Sequence, residues 1–159
     1  MTLNPALELK EYITSNLGDS GGTWEYGHTP HIESVLKSLN EKQAEEFSAV
    51  IWEWENYHLY QLADPILWNG NKNINENYLY AKIFSLLDEP EQLVYLAQNL
   101  RTCIECSVIK DWENNLLKDI ENNLYYVINY VSESWIKNHL ELIDFINNEL
   151  SKRTTSKNV

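Results

Sequence analysis

Two short spacings in this sequence carry ligand chemistry. Cys103-Ile104-Glu105-Cys106 is a CxxC and His28-Thr29-Pro30-His31 is an HxxH. Together they offer two thiolates and two imidazoles, a donor set that tetrahedral zinc accepts. About 70 residues separate the pairs, so there is no local finger, and the expectation is two helix-end cysteines, two loop histidines and no metal. A redox CxxC needs a thioredoxin-like strand and helix around it, and that pattern is missing. NGNKNINE (69–76) echoes an oxygen-rich calcium loop, but it has no aspartates and places Tyr80 where the twelfth-position Glu belongs. His58 and His139 stand alone within helical patterns. His58 falls on the apolar side, where a hydrogen-bonded core histidine is expected rather than a general base. Neither is attached to a nucleophile motif. The reading is therefore no catalytic residue, no metal and no cofactor.

What remains is the chemistry of recognition. IWEWENYHLYQLADPILW (51–68) holds three tryptophans, two tyrosines and three carboxylates. Read as one helix from Glu41 to Asp64, its steps of about 100° gather Ala44, Phe47, Ile51, Trp54, His58 and Leu62 into one core-facing arc. Trp52 then lies nearly opposite, in line with Leu59 and flanked by Glu46, Glu53, Tyr60 and Asp64. Two readings stand. Either a neighbouring helix covers Trp52 and Leu59, or Glu46, Trp52, Glu53, Leu59, Tyr60 and Asp64 form a partner-binding patch of aromatic anchors inside a polar rim.

The elements that must position these groups are helical, because apolar residues recur at helical spacing and strand alternation is nearly absent. Helices are expected over about 5–17, 31–39, 40–63, 74–87, 89–106, 110–131 and 133–151. Pro5 suits a first turn, Asn40 a cap, and Asn73 with Glu76 a capping box. GDSGGTWEYGHTP (18–30) reads as a loop, and Asp64-Pro65 as the end or a kink of its helix. The fold class is all-α, six to seven helices in short-looped antiparallel pairs. YLYAKIFSLLDEPEQLVYLAQNL (78–100) looks like one HEAT-type hairpin, though no fixed-period repeat is present, so the arrangement is HEAT-like or an irregular bundle. One helical domain is expected over 1–151, with a basic, flexible tail over 152–159.

At 159 residues a single domain buries roughly 70% of the surface its unfolded chain exposes, enough for a core without staples. Charge narrows the partners. Twenty-four acids face twelve bases, and three of those bases lie in the last eight residues, leaving 1–151 at a formal −15. Nucleic acid and anionic membrane surfaces are repelled, since both are held through Lys and Arg. A positively charged protein is favoured. The N-terminus has neither a basic region nor an unbroken apolar run, and no stretch approaches a membrane span, so the expected location is cytoplasmic.

A small, acidic, all-helical chain without a catalytic motif resembles the helical immunity proteins of bacterial toxin systems, across its whole length but with no diagnostic motif. That resemblance implies a stoichiometric inhibitor, not an enzyme, that neutralises a cognate basic toxin, such as a nuclease, by occluding its active or substrate-binding surface. The alternatives are a helical scaffold or adaptor for a non-toxin partner, and an acidic mimic of nucleic acid.

Overall fold

The computed structural model describes residues 4–157, with side chains through Thr154. Eight helices of ten or more residues and one single turn account for most of the described chain, and no strand occurs among those residues. None of the described helices is long and apolar enough to cross a membrane. The chain divides into two compact units, Met1–Tyr80 and Ala81–Val159.

In the first unit α1 spans Pro5–Ser15, with Asn4 Oδ1 accepting the Leu7 N–H at 3.3 Å. The stretch expected to be a loop is largely helical. Ser20 Oγ accepts the Thr23 N–H at 3.2 Å and opens a turn, α2 (Gly21–Thr23). A π-helical segment (Trp24–His28) follows, and then α3 (Thr29–Ser38). The physical cause is Pro30. It has no N–H to bond and its ring crowds the carbonyl one turn back, so the chain widens and the Thr29 N–H reaches the Trp24 carbonyl, five residues away. The glycines and the proline that signalled a loop are absorbed by this turn, and the HxxH histidines are helical rather than in a loop.

The helix expected over 40–63 is two helices, which raises the count from seven to eight. Asn40 and Gln43 form a capping box for α4 (Glu41–Val50). A 3-10 turn (Ile51–Glu53) then ends at Trp54, whose ψ of 163° is extended, and α5 starts afresh over Asn56–Trp68. Pro65 lies inside α5 and does not end it. Gly70 has a φ of 75°, a left-handed turn that a side chain would strain. Beyond it the buried Asn71 amide donates to the carbonyls of Leu36 and Leu39, both at 2.8 Å, and so satisfies the end of α3. α3 packs on α5, and α1 on α4 and α5. Leu9, Ile13, Ile32, Leu36, Phe47 and Leu62 are fully buried in this unit.

The boundary between units falls within α6 (Glu76–Leu86). The second unit holds α7 (Pro90–Glu105), α8 (Asn114–Val127) and α9 (Glu133–Lys157), with α8 packed on both α7 and α9. The α8 stripe Leu116, Leu117, Ile120, Leu124 and Val127 is buried, the spacing of a core-facing helix. α9 runs past 151, so residues 152–157 are helix rather than tail, while 158 and 159 lie outside the described residues. Arg153 explains the extension. Its guanidinium donates to Trp112 O (2.6 Å), Ile109 O (2.8 Å) and Asn114 Oδ1 (2.6 Å), and pairs with Glu149 at 3.2 Å.

Candidate functional site

The break at Trp54 resets the helical phase on which the expected patch depended. Glu46 on α4 and Glu53 in the 3-10 turn are exposed, and Trp52, Tyr60 and Asp64 are half-buried. Leu59 is 2% exposed and belongs to the core, not to a binding surface. Within α5 alone, Leu59, Leu62, Ala63 and Ile66 recur at i, i+3, i+4 and i+7, and all four are buried. That local stripe was legible in the sequence once the window began at Asn56. Trp54, expected in the core, is 8% exposed and meets Phe47 and His58 edge-on.

His58 is buried, and its Nε2 lies 2.8 Å from Thr14 Oγ1. The Thr14 hydroxyl spends its proton on the Lys10 carbonyl at 2.9 Å, so Oγ1 accepts and His58 carries its proton on Nε2. His58 Nδ1 is then a buried acceptor without a donor. Burial holds this imidazole below the usual histidine value, with Lys10 lowering it further against an opposing pull from Glu55. His139, 1% exposed and stacked on Trp135 at 5.5 Å, is also lowered by burial. Both are core histidines. The CxxC comprises buried Cys103 and exposed Cys106 on the second unit, whereas the HxxH is on the first. Among the described residues no three His, Cys, Asp or Glu side chains converge as metal ligands.

The second unit presents an aromatic surface outside the stretch 51–68. The Asn123 amide donates to the carbonyls of Phe84 (2.8 Å) and Leu87 (3.3 Å), fixing α8 against the end of α6. One and two turns onward come Tyr126 and Tyr130, with ring centroids 5.3 Å apart, hydroxyls 3.5 Å apart, and 38% and 54% exposure. Tyr125 beside them is 46% exposed. Asp88 and Glu89, at the corner before α7, are exposed. The Tyr126 phenol is held above its usual value, first by its hydrogen bond with Tyr130 and then by desolvation. The fields of Tyr130, Glu89 and Asp88 add to this, which places both carboxylates within electrostatic reach of the ring. The signal was present in YYVINY: Tyr126 and Tyr130 are four apart and fall outside the apolar stripe of α8.

A further constellation sits in the first unit, where Tyr12 Oη and Asp19 Oδ2 flank the two nitrogens of His28. Comparison with protein-family models, curated proteins and solved structures yields no match.

Proposed function

We propose that this chain is a stoichiometric protein inhibitor of the immunity type, which neutralises a cognate basic toxin by covering its active or substrate-binding surface. The observation that supports this best is the exposed Tyr126–Tyr130 pair, with the exposed carboxylates of Asp88 and Glu89 within electrostatic reach of Tyr126, on a chain of formal charge −12. Paired edge to face, these tyrosines offer a large contact area at small entropic cost, and their faces attract Lys and Arg. Carboxylates at the edge steer a cationic partner and set its register. Glu46, Trp52, Glu53, Tyr60 and Asp64 supply a second acidic and aromatic surface to the same partner class. The pairing of α6 with α7 in the HEAT manner and a cytoplasmic location belong to the same reading, and occlusion itself asks no chemistry of this chain.

The test is co-purification of the tagged chain with the product of a neighbouring toxin gene, followed by titration of the isolated pair. A one-to-one complex with loss of toxin activity is the expected result. Tyr130→Ala should weaken it at least about tenfold, as truncation of a central aromatic anchor does. Full toxin activity in the presence of saturating chain would end the inhibitor reading. A stable complex with an unrelated, non-toxic protein would favour an adaptor instead.

A further inference from the structure

We infer that Tyr12 is an activated nucleophile, driven by His28 as general base and positioned through Asp19, and that it takes an acyl group from an activated ester or thioester. The inference is independent of the inhibitor reading and of the surface that supports it.

Tyr12 Oη lies 2.6 Å from His28 Nδ1, and His28 Nε2 lies 2.7 Å from Asp19 Oδ2. A carboxylate only accepts, so Nε2 carries the imidazole proton and Nδ1 presents its lone pair to the Tyr12 hydroxyl. A nucleophile within hydrogen-bond reach of a base, with the base oriented by a third group, is the arrangement that acyl transfer uses on unrelated folds. The surroundings hold it in place. Trp24, buried, donates its indole N–H to the Asn16 carbonyl at 3.1 Å and meets the His28 ring edge-on at 4.9 Å. His31 packs on the Tyr12 ring at 4.4 Å and is itself exposed, so this side of the site reaches solvent. His28 is carried by the π-helical segment, a distortion that is frequent at functional sites.

The step balances. Tyr12 Oη attacks the ester carbonyl carbon while its proton passes to His28 Nδ1, and Asp19 holds the imidazolium that results. The bond from that carbon to the leaving oxygen or sulfur breaks, and the leaving group departs with the electron pair. His28 then returns its proton to water.

The probe is p-nitrophenyl acetate with the full chain near neutral pH. Tyr12 and Tyr26 lie in the same tryptic peptide, between Lys10 and Lys37, and Tyr26 is 81% exposed. Fragment ions therefore divide the acetyl label between the two within one molecule. Tyr12, though half-buried, should label at least about tenfold faster than Tyr26, the low side of what a positioned base contributes. His28→Gln and Asp19→Asn should erase that preference, and Asp19→Glu should restore part of it. Labelling of Tyr12 no faster than Tyr26 in the wild-type chain would overturn the inference without recourse to any variant. An undiminished p-nitrophenolate burst from Tyr12→Phe would overturn it as well, because His28 would then be the nucleophile.

Discussion

A buried histidine without a donor for its second nitrogen costs stability once it must accept a proton. His139 and His58 are both held below the ordinary histidine value of 6.5 by burial. The unfolded chain therefore binds protons before the folded one does. Their contribution to stability is complete above pH 6.5 and is lost as pH falls below it, by at most about 1.4 kcal/mol per pH unit for each histidine. Glu33 and Glu76, raised by burial, slope the other way, so the useful measurement compares variant with wild type. Urea midpoints of His139→Gln should fall less between about pH 7 and about pH 5.5 than those of the wild type. Equal falls would show that His139 does not titrate within that window. At the same scale, Leu59→Ala should cost about 2–5 kcal/mol by opening a cavity in the core that α5 helps to fill. Half-buried Trp52→Ala should cost distinctly less in the same melts.

Two elements owe their form to single residues. Pro30 forces the π-helical turn that brings His28 to Tyr12 and Asp19. Pro30→Ala returns an N–H to that turn, which should tighten to α-helical spacing and carry His28 away from both partners. Imidazole NMR resonances of His28 would report the change, and an unaltered environment would assign the widened turn to packing by Trp24 instead. Arg153 binds the carbonyl of Ile109, which opens the 3-10 turn Ile109–Asp111, and that of Trp112, which leads from the turn towards α8. Removing it leaves those acceptors without their cation, so Arg153→Ala should destabilise the chain by about 1–3 kcal/mol in thermal or urea unfolding. A frayed tail would show no effect.

Across the whole molecule, charge dominates what can approach. With twenty-four acids and twelve bases, counterion release offers duplex DNA or RNA nothing to bind. No mobility shift is expected near physiological salt, and micromolar retention would overturn the electrostatic reading. Association with a basic partner should instead slow as salt rises, and Glu89→Lys should reduce both the rate and its salt dependence, the behaviour of a rim charge.

Composition and short-range pattern determined the helical class, the net charge and most helix starts. These depend on neighbours within four residues, which is why the Asn40 cap and the start of α7 near residue 89 were legible. Periodicity also marked the apolar faces wherever the helix was continuous. It failed where a break shifted the phase. No residue in Ile51–Glu55 is a strong helix breaker, so the turn at Trp54 reflects what α4 and α5 each bury, and Leu59 moved with it from the expected surface into the core. Only tertiary structure set Tyr12, His28 and Asp19 within hydrogen-bond distance, drew Asn71 to the end of α3, and brought Asp88 and Glu89 within electrostatic reach of Tyr126. Such contacts join residues 9 to 38 positions apart. Their formation depends on the packing of helices on one another, which local propensity does not encode.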